Sequence, residues 1–168
     1  RQLHNESIYT DHLRLKGLLF LRENEKAGAA MDKTVGDLMN APIPPLRETA
    51  LLQEIADRFL ANANNFLPVV DAQRQFIGIV ALQDLKQFLH DNQALAGVIA
   101  LDLMRPPPKS LTPGQRLLDA LPLVLASEQR NIPVVNTLAE NRLVGSLSRA
   151  QVLAAFSEAI TEKSHPVG

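Results

Sequence analysis

The sequence has no cysteine and no tryptophan, and aromatic residues make up 4% of its 168 positions. Without thiols it can form no disulfide, offer no cysteine nucleophile and build no cysteine-ligated zinc site. That absence fits a cytosolic milieu. The scarcity of rings leaves few platforms on which nucleic-acid bases could stack. Neither charge dominates, with Lys plus Arg at 17 and Asp plus Glu at 18, so no global field points to nucleic acid. No apolar run approaches the roughly 18 residues that would span a bilayer. The richest, Leu117 to Ala126, is interrupted by Asp119 and Pro122. There is no signal-peptide pattern, and the chain opens at Arg1, so it is expected to be a soluble piece of a longer protein. His4, His12, His90 and His165 are scattered, without ligand spacing. Neither a P-loop nor a Gly-x-Ser-x-Gly motif occurs. The chain is therefore expected not to be an enzyme.

What is present is a repeat, the feature to seek first in any sequence. Phe66-Leu67-Pro68-Val69-Val70-Asp71, followed by Phe76-Ile77-Gly78-Ile79-Val80, returns as Asn131-Ile132-Pro133-Val134-Val135-Asn136 and Leu143-Val144-Gly145-Ser146-Leu147. Pro133 lies 65 residues after Pro68 and Gly145 lies 67 after Gly78, so the second copy has two extra residues in its turn. Upstream at the shift of 65, Asp37-Leu38-Met39 matches Asp102-Leu103-Met104. Between these motifs, Leu52, Ile55, Ala56, Phe59 and Leu60 match Leu117, Ala120, Leu121, Val124 and Leu125, one stripe of an amphipathic helix in each copy.

Each copy is predicted to run strand, helix, strand, strand, helix, in an α+β pair with pseudo-two-fold symmetry. The strands are apolar throughout, which predicts cover on both faces. Residues 1–33 are expected to form an N-terminal helix, a short strand and a linker. Repeats follow at 34–89 and 99–156, joined by a linker at 90–98 and followed by a tail at 157–168 that is expected to fray after Ile160. Thr49 and Thr112-Pro113 are the predicted helix starts, and Pro122 is expected to weaken or kink its helix. Met39 and Met104 are expected in the core or at a dimer contact. Each repeat is near the lower size limit for independent folding, so the two should share a core, with ligand sites in the clefts between them.

The recurring Asp-Leu-Met, the Leu/Ile-Pro-Val-Val strand and the Gly-bearing strand that runs straight into a helix resemble the tandem CBS-domain pair, or Bateman module. The segment Glu6-Ser7-Ile8-Tyr9-Thr10-Asp11-His12-Leu13-Arg14-Leu15-Lys16-Gly17-Leu18 is similar to the stretch that follows the last membrane helix of CLC chloride channels and transporters. Together these resemblances imply a regulatory, non-enzymatic domain on the cytoplasmic face of the cell (inner) membrane. It would modulate anion transport by a CLC-type parent through dimerisation and conformational coupling. The implied partners are a second copy of the chain and the parent's membrane domain, with chloride as the transported ion and no nucleic acid. The alternative is an adenine-nucleotide-sensing CBS module regulating another protein or an enzyme. The sequence immediately before Arg1 would discriminate: a long apolar span supports the channel, a soluble catalytic domain the alternative.

In nucleotide-binding members, the strand-to-helix junction carries a Ser or Thr facing phosphate and, three residues on, an Asp for the ribose. Here the resemblance finds Ala81 with Asp84 in the first repeat, and Ser148, Arg149 and Gln151 in the second. The stacking aromatic of ATP-binding CLC relatives is replaced by Asn64, beside Asn65. Apart from Ala81, these six residues form a candidate nucleotide cleft with an incomplete set in either repeat, so no cofactor is expected and ATP or AMP should bind weakly. Three of them also have an ordinary structural reading. Asp84 suits the positive end of a helix dipole, Ser148 is an N-cap candidate, and Arg149 can be a solvated side chain. Gln151 can still hydrogen-bond a ribose as a neutral group.

Overall fold

The computed structural model describes residues 32–91 and 97–164, without the side chains of 159–164. In chain order the elements are α1 (Val35–Leu38), β1 (Leu46–Arg47), α2 (Leu52–Ala61), β2 (Phe66–Val70), β3 (Phe76–Ala81), α3 (Leu82–Asp91), α4 (Ala100–Leu103), α5 (Leu117–Ala126), β4 (Asn131–Val135), β5 (Leu143–Ser148) and α6 (Arg149–Ser164). The α+β class and the repeat follow the sequence reading, except that each half opens with a short helix, α1 or α4, ahead of the expected strand. The expected helix of residues 1–20, the strand at Leu18–Leu21 and the linker to residue 31 lie outside the described residues.

β2 is the middle strand of the first sheet, parallel to β1 and antiparallel to β3, while β4 and β5 pair antiparallel. β2 and β4 each carry a proline, which has no donor for the ladder. Ile79 opposite Pro68 spends its backbone N–H and C=O on Arg105, and Ser146 opposite Pro133 spends its own on Asn40. The proline positions therefore fall on rungs where no bond crosses to the partner strand. The turn after β2 is pinned by Asp71 Oδ1, which accepts from Gln73 and Gln75 backbone N–H, with Arg74 at φ 63°. The longer second turn uses Asn136 in the same way and places Asn141 at φ 55°.

The halves exchange their first helices. Val35 of α1 is buried with Leu111, Leu117, Val124, Ile132 and Leu147 of the second half. Ala100 of α4 is buried with Leu46, Ile55, Leu67 and Val80 of the first. Backbone bonds fix both dockings: Val35 N–H to Gln115 O and Leu117 N–H to Lys33 O, Ala100 N–H to Ala50 O and Leu101 N–H to Glu48 O. A third cluster of Phe76, Ile79 and Val135 joins the two cores.

This exchange explains where local reading fails. The helix starts expected at Thr49 and Thr112 come later, at N-caps Leu51 and Arg116, because the exchanged segments occupy the preceding backbone groups. The first strand of the second half shrinks to one parallel bridge, Leu111 to Val134. Leu60 is 85% exposed rather than on the core face. Eight residues after Leu52, a 3.6-residue period has turned it about 80° off the stripe. Pro122 sits on the exposed side of α5, which stays helical from Leu117 to Ala126. Met39 and Met104 pack by sulfur and Cγ against Gly145 and Gly78 of the opposite half.

Candidate ligand cleft

The junction of β3 and α3 sets the first cleft. β3 runs straight into α3, which places Asp84 in the first helical turn, where the N-terminal dipole favours a carboxylate. Across from it, Arg105 is the residue that follows Asp102-Leu103-Met104, held by two backbone bonds to Ile79 at 2.7 and 3.1 Å. Its Nε and Nη2 donate to Asp84 Oδ2 and Oδ1 at 2.5 and 2.8 Å, a bidentate pair. The hydrogen bonds from Arg105 hold the Asp84 carboxyl below the usual carboxylate range, against the opposing effect of burial. The guanidinium also lies 6.0 Å from the centre of the Phe66 ring.

Two chambers meet at Arg105. The larger, about 590 Å³, has an apolar wall of Phe66, Ile79, Pro108, Pro122, Leu123 and Ile132. The smaller, about 310 Å³, lies at the start of α3 and is lined by Asn65, Ala81, Leu82, Gln83 and Lys86. Phe66, Arg105 and Glu128 line both. Such volumes lie in or near the range that takes small molecules, roughly 300–1,000 Å³. One chamber suits a planar apolar body; the other offers a helix N-terminus and a lysine.

The second half differs. Residues 65 or 67 positions from Pro108, Phe66 and Ile79 are Ile43, Asn131 and Ser146, and the space they border, together with Phe66, Pro68 and Ile79 of the first half, is about 10 Å³. The counterparts of Leu123 and Lys109 are Arg58 and Pro44, and there Arg58 donates to Pro44 O and Pro45 O at 2.8 and 3.4 Å. A hydrogen bond thus ties together the two walls that stand apart in the first cleft. The counterpart of Arg105 and Asp84 is Asn40 and Gln151, joined by a neutral bond of 2.9 Å.

The six sequence candidates divide between these surroundings. Asp84 takes the pair just described, and Asn65 lines the smaller chamber. The Asn65 side chain ties β2 to the other half, donating to Glu128 O at 3.0 Å and accepting from Arg130 N–H at 3.4 Å. Asn64 accepts from Asn131 and donates to Asn62, so it fills its position with side-chain bonds instead of a ring. Ser148 Oγ accepts from Gln151 N–H at 3.3 Å, which is capping geometry. Arg149 Nε is buried with no hydrogen-bond partner. Asn64, Ser148, Arg149 and Gln151 line neither chamber, and Asp84 reaches the cleft only through its bond to Arg105. Sequence reasoning passed over Arg105, Lys86, Glu128 and Arg58. Arg105 had a signal: at the shift of 65 it is a cation where the first repeat has Asn40. Among the described residues no group of three His, Cys, Asp or Glu is placed to hold a metal, and no helix is long and apolar enough to cross a membrane.

Two homologous α+β halves, exchanging their first helices around paired clefts, make this a tandem-repeat pair. The chain belongs to the CBS domain family, which matches it twice, over residues 35–91 and 99–158. The CBS-pair protein CBSX2 from Arabidopsis thaliana is 26% identical with a TM-score of 0.63, covering 77% of this chain and 97% of that chain. A structure of CBSX2 in complex with AMP is 27% identical with a TM-score of 0.59, covering 78% and 98%. An uncharacterized protein of Methanocaldococcus jannaschii, MJ1225, is 28% identical over 124 residues, 71% of this chain. This chain spans 41% of that relative's length. The segment Glu6–Leu18, which carries the resemblance to CLC channels, lies outside the described residues, and these relatives bear on the CBS pair alone.

Proposed function

We propose that this chain is a non-enzymatic regulatory module that binds an adenine nucleotide in its first cleft and reports the binding to a larger protein. One observation carries the reading: an apolar-walled chamber and a chamber bearing Lys86 and a helix N-terminus share Arg105, whose guanidinium holds Asp84. The likeness to a CBS pair crystallised with AMP supports the same ligand class. Binding is weak, because Ala81 offers no hydroxyl to phosphate and Asn64 no ring to adenine. The second cleft, tied by Arg58, takes no ligand of this size. Leu60, Leu89 and Leu153 are exposed at 85, 43 and 38% on α2, α3 and α6, which supports a homodimer packed through its helices. Light scattering at tens of micromolar should show that dimer.

The test of the nucleotide reading is a thermal shift with AMP, ADP and ATP. Ligand at a hundred times its dissociation constant should stabilise the fold by about 2.7 kcal/mol. Ala126→Trp, at an exposed position on the larger chamber, should abolish the shift without disturbing the core. No shift at millimolar nucleotide, or one that Ala126→Trp leaves intact, removes the reading.

The second reading is a CLC-type channel or transporter as the parent, favoured by the Glu6–Leu18 segment. Sequence preceding Arg1 decides it: a long apolar span supports the channel, and a soluble catalytic domain removes it.

A further inference from the structure

Arg105 stands where the two chambers meet, and nothing in the nucleotide reading itself requires a cation at that point. Its side chain lines both chambers, so the 590 and 310 Å³ spaces are one cleft with a guanidinium across it. Both oxygens of Asp84 are bound by that guanidinium. We propose that Arg105 is a latch that changes partner when ligand enters, moving from the Asp84 carboxylate to the ligand's phosphate. The cleft thereby selects phosphorylated nucleotides over the corresponding nucleosides. This rests on the nucleotide reading above.

Five considerations support the exchange. The backbone of Arg105 is fixed on both sides, by the reciprocal bonds to Ile79 and by Pro106-Pro107-Pro108, so the motion is confined to the side chain. The ion pair is half-open to solvent, with side-chain exposures of 42% for Arg105 and 33% for Asp84, and exposed pairs are easily opened. A phosphate held in the smaller chamber would lie within the side chain's existing compass, because Arg105 already lines the space that holds Lys86 and the start of α3. A guanidinium meets phosphate with the same two-pronged geometry it uses on a carboxylate. Finally, Glu128 faces both chambers and adds to the attraction that keeps Arg105 charged. A phosphate entering beside Glu128 needs a cation turned toward it, and Arg105 and Lys86 are the two that line that chamber.

The sequence of events follows from these contacts. A nucleoside must break the Arg105–Asp84 pair to reach the carboxylate and supplies no anion to replace it. A nucleotide breaks the same pair and replaces it, while its ribose hydroxyls donate to the freed Asp84. In the second half the matching pair is Asn40 with Gln151, which carries no charge to exchange.

The experiment is calorimetric titration of AMP and adenosine into the wild type, Arg105→Ala and Asp84→Asn, with melting curves to show that each variant is folded. Wild type should prefer AMP by tenfold or more. Arg105→Ala opens the divided cleft and frees Asp84, so adenosine should bind several-fold tighter while AMP does not, and the preference should fall to about threefold or less. Asp84→Asn frees Arg105 without removing it, so the preference should persist or rise. The Nε–H resonance of Arg105 should shift with AMP and not with adenosine. A merely structural Arg105 predicts equal weakening of both ligands in Arg105→Ala, with the preference unchanged; that result, or a preference that falls in both variants, overturns the latch. Binding of neither ligand to any of the three proteins overturns the nucleotide reading and the latch with it.

Discussion

Immediately after Asp-Leu-Met, the first half places Asn40 and the second places Arg105, and each reaches across to the helix start of the opposite half. The backbone arrangement is the same: both residues bridge the opposite sheet, Asn40 to Ser146 and Arg105 to Ile79. The chemistry differs. Around Asn40 the walls are drawn together by Arg58 and almost no space is left, whereas around Arg105 the walls stand apart over two chambers. Repeat symmetry of the fold therefore does not carry repeat symmetry of function. The backbone exchange sets where a cleft can be, and a few side chains decide whether it is open.

The largest expected effects test whether the two halves are equivalent as cores. Leu46 lies in a two-residue strand and Leu111 in a single bridge, yet both are essentially inaccessible to solvent. Burial rather than strand length sets the penalty, so Leu46→Ala and Leu111→Ala should each destabilise by about 2–5 kcal/mol. Denaturant unfolding should place them within about 1 kcal/mol of each other. A Leu111 effect near zero would break the equivalence.

Next come the glycines where the halves touch. A Cβ on Gly78 would lie 2.6 Å from Arg105 O and 2.8 Å from Met104 Sδ. On Gly145 it would lie 2.6 Å from Met39 Sδ and 3.0 Å from Asn40 O. Overpacking of this kind destabilises by about 1–3 kcal/mol. Gly78→Ala should fall at the upper end, because a bridged carbonyl cannot move aside as a thioether can. Gly145→Ala should fall lower, and the reverse order would mean that Arg105 is not held by its backbone.

A smaller effect is expected at the clamp of the closed cleft. Arg58→Ala removes two charged hydrogen bonds from backbone carbonyls. With the partial exposure taken into account, the loss should be about 1 kcal/mol. The matching substitution in the open half, Leu123→Ala, should instead lower nucleotide affinity by widening the apolar chamber.

The smallest effect is a difference in acid response. The folded carboxyl of Asp84 is depressed, mainly by hydrogen bonds from Arg105, so the pair's contribution is present above the unfolded carboxyl's pKa of about 3.9. It is lost as pH falls through the depressed folded value. Because the pair is exposed, this contribution should stay under about 1 kcal/mol. Unfolding measured from pH 6 to pH 2, rough bounds that bracket the carboxylate range, should show a shallower acid loss in Asp84→Asn. Asn40→Ala should leave the shape of the curve unchanged, since amides do not titrate. The same sign applies to Asp37, depressed by its bonds with Thr34, so some acid loss persists in Asp84→Asn.

The sequence by itself determined the repeat, the α+β class and most element positions. Apolar alternation and helical periodicity are local properties, written within a few residues of where they act. Pro68 and Pro133, Gly78 and Gly145, and the recurring Asp-Leu-Met are legible for the same reason. It also singled out Asp84, but not its partner. The bond from Arg105 crosses 21 positions and that from Asn40 to Gln151 crosses 111, and no local pattern specifies such pairings. Only the tertiary structure decided that α1 and α4 change places between the cores. That exchange delays both helix starts and brings Arg105 to Asp84. The physical reason is burial: Val35 and Ala100 leave water completely in the core of the opposite half, and their docking carries Asn40 and Arg105 to the facing helix starts.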